Sequence, residues 1–310
     1  MTDQPIVALA GAAGDLGGRI ARALVARGAT VRALVRPGLS EAERSRIAAP
    51  GVTLVAADPG DVAQMAGAIA GAGCVVSALN GLREVMIDRQ GVLLDAALRA
   101  GVPRFVPSDY AADFTKTRAG DNRNFDLRRA FMARADAAAA GGAIRITSVL
   151  NGAFMDMLGR EMPIIQPRIK RVLYWNDADQ GLDFTTKDDV AAYVAAVAIG
   201  TDTPRLLRIA GDTISARGLA AAMSEVTGVP YRTLWVGSTA MLSGVIGIAR
   251  RFAPQPDETF PVWQGMQYMR DQFSGRAQLT PLDSGRYPDL RWTDVRQMMA
   301  ARMAEGVAVA

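Results

Sequence analysis

An apolar run, Pro5-Ile6-Val7-Ala8-Leu9-Ala10, leads through Gly11-Ala12-Ala13-Gly14-Asp15-Leu16-Gly17 into a helical pattern, Ile20-Ala21-Arg22-Ala23-Leu24-Val25. This order of strand, glycine loop and helix constrains the chain more than any other feature. Glycines in that context let the backbone turn tightly and come close to a bulky group. The helix that follows aims unbonded N–H groups and its positive dipole end at the same place. An anion is the natural occupant, and a dinucleotide pyrophosphate is the usual one. Gly11, Ala13, Gly14, Asp15, Leu16 and Gly17 are therefore the first candidate binding residues. The plain alternative is a tight turn with no ligand. In a chain with 31 glycines the spacing alone carries little; the flanking strand and helix give it weight.

The first half alternates strand-like and helix-like segments. Short apolar runs at 5–11, 29–35, 52–57, 74–79, 103–107 and 143–149 predict strands buried on both faces. Helical patterns fill the gaps at 15–27, 40–48, 61–71, 84–100 and 124–140. This alternation predicts an α/β protein with a Rossmann-type doubly wound parallel sheet. After Asn151 the rhythm breaks. A short strand is expected at 171–175, a helix started by Asp188-Asp189, a strand at 205–209, and a helix capped by Ser215. The expected division is a binding domain over 1–155, with 183–215 returning to it. A smaller, mainly helical C-terminal substrate lobe is expected over 156–182 and 216–310.

Composition removes several function classes. The 310 residues include no histidine and one cysteine. Histidine-based triads and the usual zinc sites are thereby excluded, and no metal site is expected. The lone Cys74 fits a reducing, cytoplasmic setting. The only lysines are Lys116, Lys170 and Lys187, and arginine is a poor proton donor. The net charge of +4 is interspersed with acids, so no nucleic-acid surface is expected. No apolar stretch is long enough to cross a membrane, and no secretory leader is expected.

The predicted strand ends supply further candidates. Arg36 follows the second strand, where NAD-binding folds carry an acid for the ribose 2′-hydroxyl. An arginine there suits a 2′-phosphate, which points to NADP(H). A surface arginine closing a strand is the alternative. Asp58 ends the third strand, either beside an adenine or as a turn acid. Ala78, Leu79 and Asn80 end the fourth, and Pro107 and Ser108 the fifth. All fall at the carboxyl edge of the sheet, where open α/β folds bind ligands.

Gly11–Gly17, Leu34-Val35-Arg36, Pro107-Ser108-Asp109-Tyr110 and Thr147-Ser148-Val149-Leu150-Asn151-Gly152 together resemble the NmrA-like and isoflavone-reductase-like branch of atypical short-chain dehydrogenases. Phe184-Thr185-Thr186-Lys187-Asp188-Asp189-Val190-Ala191 is similar to a later element of that branch. The resemblance implies NADP(H) as cofactor, with Asn151 among its contacts, and an apolar substrate pocket in the C-terminal lobe. Active members transfer hydride to a double bond, a benzylic ether or a carbonyl; others sense the cofactor and regulate partners.

The chain departs from the branch at one position. Where its reductases carry a catalytic lysine, the sequence reads Phe125-Asp126-Leu127-Arg128-Arg129, with Arg128 or, on another count, Arg134 at the lysine's place. The Tyr-x-x-x-Lys pair of ordinary short-chain dehydrogenases is also absent. Tyr110 and Lys116 remain as proton-donor candidates, against the alternatives of packing and solvation. Phe154, Met155, Trp263 and Met266 are pocket candidates, against the alternative of core. The expected function is an NADPH-dependent reductase of an apolar, aromatic-type small molecule. The rival is a non-catalytic NADP(H)-binding regulator with a protein partner, and a homodimer is compatible with both. Arg36 and the missing Tyr–Lys pair argue against a third reading, an epimerase or dehydratase with tightly held NAD.

Overall fold

The computed structural model describes residues 4–159 and 161–306. They fall into two compact units. The first comprises Met1–Tyr110, Leu127–Val149 and Val190–Leu207; the second comprises Ala111–Asp126, Leu150–Asp189 and Arg208–Ala310.

The first unit is built on β1 (Ile6–Ala10), α1 (Asp15–Ala26), β2 (Thr30–Val35), α2 (Glu41–Ile47), β3 (Val52–Ala56), α3 (Val62–Ile69) and β4 (Cys74–Ser77). A π-helical turn over Glu84–Arg89 then runs into α4 (Gln90–Arg99), followed by β5 (Arg104–Val106). α5 (Arg123–Ala139) begins in the second unit and continues in the first, before β6 (Arg145–Ile146). The six strands form one sheet in the order β3-β2-β1-β4-β5-β6, and every neighbouring pair is parallel. Ile6 faces Thr30 on one side of β1, and Val7 faces Cys74 on the other. The strand order reverses across β1 and β4, so the glycine loop leaves the sheet at its switch point. Helices cover both faces, which is why Leu9, Val31, Val75, Val76 and Phe105 are all buried. In α1, Ile20 and Leu24 lie one turn apart and are fully buried, the spacing of a single inward stripe. Phe131 of α5 packs on Phe105 with ring centroids 6.3 Å apart.

The parallel α/β sheet expected from the sequence is present, with strand and helix positions close to those predicted. The second unit carries more strand than its sequence pattern shows. After β7 (Ser148–Leu150) come β8 (Ala153–Phe154), β9 (Ile165–Gln166), β10 (Arg171–Tyr174) and β11 (Leu182–Thr185). Beyond α6 (Lys187–Ile199) and β12 (Leu206–Arg208) lie β13 (Asp212–Ile214), α7 (Ala216–Thr227), β14 (Arg232–Trp235), α8 (Thr239–Phe252), α9 (Val262–Phe273) and α10 (Val295–Ala304). Two three-stranded sheets, β14-β10-β9 and β13-β11-β8, accompany the helices. Their strands are two to four residues long, too short for alternation to register. The division also differs from the expected one. Residues 111–126 and 150–155 pack with the second unit, and only Val190–Leu207 of the returning stretch joins the first. Among the described residues, no helix is long and apolar enough to cross a membrane.

Candidate active site

A cleft of about 380 Å³ opens in the first unit at the carboxyl end of β1. Ala10–Ala13, Leu34–Arg36, Ala57, Pro59 and Leu79 are among its walls. The glycine loop is held by its own backbone: the Gly14 N–H donates to the Gly11 carbonyl at 3.0 Å, and the Gly18 N–H to the Gly14 carbonyl at 2.8 Å. The glycines have different reasons to be there. Gly11 has φ +87°, and a Cβ on it would stand 2.6 Å from the Ala78 carbonyl oxygen. A Cβ on Gly17 would run into the Gly11 carbonyl. Gly14, the N-cap of α1, has an ordinary φ of −78°. A Cβ there would meet only the Gly11 carbonyl oxygen, at 3.4 Å. The fold thus demands Gly11 and Gly17, while Gly14 keeps open the space in front of the helix terminus. Asp15, in the first turn of α1, pairs with Arg19 at 2.8 Å, which offsets the one acid near that terminus.

Arg36 stands where the sequence puts it, at the end of β2 on the cleft wall. Its Nη2 donates to Glu43 Oε1 at 2.8 Å. Glu43 also closes the capping box of α2 with Ser40. Those bonds from the Ser40 backbone and hydroxyl, then from Arg36, lower its carboxyl to about 2. Arg46 lines the same wall, so this end of the cleft holds two guanidinium groups and one carboxylate.

Asp58 does not reach the cleft. Its Oδ1 accepts from the Gly60 N–H at 2.8 Å, a turn that closes on itself, and the wall there is Ala57 and Pro59. Leu79 lines the cleft and Asn80 is exposed. Ser108 donates through its hydroxyl to the Leu79 carbonyl at 2.6 Å, and its N–H donates to Gln90 Oε1 at 2.8 Å. Gln90 is fully buried, and its Nε2 donates to the Met86 carbonyl. Sequence reasoning missed it. The only signal was an amide on an otherwise apolar helix face. Its role is to tie the loop after β5 to the fourth strand's helix. In that loop the Asp109 N–H turns back to the Pro107 carbonyl at 2.9 Å.

Beyond β5 lies a buried polar cluster that the sequence did not bring together. Asp109 is fully buried; its Oδ2 accepts from Ser148 Oγ at 2.5 Å, and its Oδ1 has no hydrogen-bond partner. Ser148 Oγ in turn accepts from Arg205 Nη1 at 2.7 Å, and Arg205 Nε donates to Asp136 Oδ1 at 2.6 Å. Burial holds the Asp109 carboxyl above the usual range, against the bond from Ser148 and the charges of Arg128 and Arg205. Arg128 is itself buried, 8% exposed. The alternative position, Arg134, is a surface residue: it pairs with Asp95 at 2.7 Å and lies across Gly91.

The proton-donor candidates fare differently. Tyr110 is buried and its hydroxyl has no partner. Burial, then the charges of Asp109 and Cys74, push that hydroxyl well above its ordinary value, so it holds its proton firmly. In the second unit, Lys116 Nζ donates to the Gln278 and Thr280 carbonyls at 3.0 and 2.9 Å. It also lies 3.5 Å from buried Asp113, which Arg208 pairs at 2.6 Å. Lys116 is an anchor for the 278–280 backbone, not a donor held in reserve. Asn151 is fully buried, with the Thr185 hydroxyl on its carbonyl at 2.7 Å and no partner for either side-chain polar atom.

Two pocket candidates are core. Met155 is fully buried in the apolar cluster of the second unit. Trp263 is 4% exposed, donates to the Pro254 carbonyl, and lies under the guanidinium groups of Arg123 and Arg250. Phe154 and Met266 are half-buried.

The NmrA-like family matches residues 3–270. The isoflavone reductase homolog IRL of Zea mays is 26% identical over 264 residues, 80% of this chain and 81% of that protein. Among solved structures, AtPrR2 with NADP+ and (+)pinoresinol superposes with a TM-score of 0.76 at 20% identity, covering 97% of this chain and 99% of that one. The leucoanthocyanidin reductase–NADPH complex from Vitis vinifera gives 0.76 at 15% identity, covering 96% and 99%. A glycine loop at the switch point of a parallel sheet is common to many folds; a family match that runs from this loop through both units is not, and by it the chain belongs to the NmrA-like family.

Proposed function

We propose that the chain binds NADP(H) in the cleft at β1 and reduces an apolar, aromatic-type small molecule at a carbonyl, a conjugated double bond or a benzylic ether. One observation carries the cofactor reading: Gly11–Ala13 of the glycine loop, which leads into the α1 N-cap at Gly14, and the guanidinium groups of Arg36 and Arg46 line one cleft. The residues fit the group. The α1 terminus receives the pyrophosphate. Arg36 and Arg46 receive the 2′-phosphate, with Glu43 already satisfied by Ser40 and Arg36. Leu79 and the backbone at Ala78 let the cofactor run close along the carboxyl edge.

When bound, NADPH supplies the hydride. The chain supplies orientation, which is a large part of such a barrier. Ser108, fixed through Leu79 and Gln90, sets the loop after β5. Arg128, buried on α5, adds a positive charge that acts on Asp109 of the same loop. The test has two stages: the Kd for NADPH against NADH, then NADPH oxidation with quinones, enones, aryl ketones and benzylic ethers. Tight NADPH binding with turnover of one class supports the proposal; tight binding with none of them turned over sinks the reductase half.

A non-catalytic NADP(H) sensor is the second reading. The anchored Lys116 and the buried Tyr110 hydroxyl favour it. A sensor binds NADP+ and NADPH with different affinities, engages a protein partner and turns over nothing.

A further inference from the structure

Helix α8 carries no charge before Arg250. Its N-cap, Ser238, accepts from the Met241 N–H at 3.1 Å. Leu242 and Ile246, one turn apart, are its buried residues. Met241, Val245, Ile248 and Phe252 follow one another at steps of four, three and four, so they form a second stripe along the same helix. All four are exposed. A helix that is apolar all round is normally covered all round. Phe260 and Val262, also exposed, stand near its C-terminal end, where the Arg250 guanidinium lies over the ring of Trp263. Among the described residues twelve large apolar side chains are exposed, and nine of them fall within 234–262. Single exposed apolar residues are ordinary, but a gathering of this kind marks an interface.

We propose that this face joins two copies of the chain, with α8 packed antiparallel on α8 of the second copy across a two-fold axis between Val245 and Ile248. Area is the first argument. Met241, Val245, Ile248, Phe252, Phe260 and Val262 are 48–78% exposed. Side chains this large then leave on the order of 100 Å² each in water, and roughly 700 Å² together. The largest patch on an ordinary monomer is about 300–600 Å², whereas each partner in a standard interface contributes roughly 800 Å². Shape agrees. Gly244 is exposed on the same stripe, within one turn of Met241 and Ile248, and its missing side chain lets a second helix come close. In the antiparallel register Met241 of one copy meets Phe252 of the other, a thioether on an aromatic ring. Val245 likewise meets Ile248. Each pair is made twice, as a two-fold axis requires.

Charge sets the direction. Arg251, at the C-terminal end of α8, is exposed and has no ion pair among the described residues. The N-terminal end is held by Asn176, whose Oδ1 accepts from the Thr239 N–H and whose Nδ2 donates to Thr239 Oγ1, both at 2.9 Å. Asp177, the next residue, is exposed and likewise has no ion pair among the described residues. Antiparallel packing carries Arg251 of each copy to the Asp177 end of the other. Parallel packing would set Arg251 against Arg251. Exposed Asp257 and Glu258 border the face between Phe252 and Phe260, unlike the basic rim that anionic headgroups attract, so a second copy suits it better than a lipid surface.

Sedimentation equilibrium on the full chain across the micromolar range tests the pairing. The 32.8 kDa chain should run at twice its mass. Ile248→Glu sets an unpaired charge in the middle of the face and should raise the dimer Kd by roughly 100-fold or more, with an unchanged circular dichroism spectrum because Ile248 is exposed in the single chain. Arg251→Glu should weaken the dimer about 3- to 10-fold, and adding Asp177→Arg to it should restore the wild-type Kd. In Ile248→Cys a short bis-maleimide should join two copies, with buried Cys74 out of its reach. A wild type that stays monomeric over that range overturns the proposal, including one that binds anionic vesicles instead. So does a dimer that Ile248→Glu leaves intact or that Ile248→Cys does not cross-link. A dimer that the charge exchange fails to restore overturns the antiparallel arrangement.

Discussion

The carbonyl of Gly11 fills the space that a side chain on Gly17 would need. The two residues lie at opposite ends of the loop, and their contact brings α1 down onto the end of β1. Gly14, between them, has no such duty. Two alanine substitutions should therefore separate folding from binding. Gly17→Ala is expected to destabilise by about 1–3 kcal/mol or more, as overpacking against backbone does. Gly14→Ala should cost only about 0.5–1 kcal/mol of stability, the scale of placing alanine at an N-cap. It should weaken NADPH by roughly tenfold or more, since a methyl there takes up room at the anion site. Denaturant unfolding and fluorescence titration read the two effects.

Arg36 makes the choice between the two nicotinamide cofactors measurable. Arg36→Ala should raise the Kd for NADPH by roughly 10- to 100-fold, the range of a lost charge-assisted hydrogen bond, and leave NADH unchanged. Equal loss for both cofactors would remove Arg36 from 2′-phosphate recognition.

The same arginine bears on acid stability. Glu43 is held at about 2 against an ordinary 4.5. A carboxyl whose value is depressed on folding stabilises the native state above its unfolded value, and loses that contribution as pH falls through its folded one. The capping of α2 should therefore weaken between about pH 4.5 and 2. Since Arg36 is one cause of the depression, Arg36→Ala should shift the Glu43 titration upward, as followed by carboxyl carbon NMR.

Tyr110 and Lys116 carry opposite expectations. The Tyr110 hydroxyl is buried without a partner, so Tyr110→Phe removes an unpaired polar atom and should be neutral or stabilising by up to about 1–2 kcal/mol. Turnover should survive. Lys116→Met leaves the Gln278 and Thr280 carbonyls short of a donor and should cost about 1–3 kcal/mol, with NADPH affinity intact. A large loss of turnover in Tyr110→Phe, with the fold retained, would falsify the assignment of its hydroxyl as a bystander.

Cys74 is fully buried in β4, and burial pushes its thiol up to about 12. The thiolate is the reactive form. An aromatic disulfide reagent should therefore label Cys74 only at the rate of unfolding, and one equivalent should react at once in denaturant.

The sheet was legible in the sequence because strands buried on both faces are written as short apolar runs, and Val75-Val76 or Val7-Ala8-Leu9 leave little room for another reading. The glycine loop was legible for a similar reason: Gly11 and Gly17 are required by backbone contacts, Gly17 within its own stretch of chain and Gly11 against Ala78, and Arg36 follows directly on β2. Asp58 was left open between two roles because a turn acid and an adenine neighbour look alike in sequence; the Gly60 N–H on its Oδ1 gives it the turn role. The two small sheets of the second unit escaped notice because Ala153–Phe154 or Ile165–Gln166 cannot display a period. Gln90, Ser148 and Arg205 were invisible as a group. Each is unremarkable in its own segment, and their relation to Ser108 and Asp109 exists only after strands distant in sequence come together.

Six segments of chain alternate between the two units. Asp109, Arg128, Ser148 and Arg205 each lie within two residues of a point where the chain passes from one unit to the other. A fragment of the first unit cut out at those points would have to be spliced through its buried polar cluster. Relatives in which a lobe has been traded whole are therefore not to be expected. Specificity in a chain threaded this way has to drift by single substitutions.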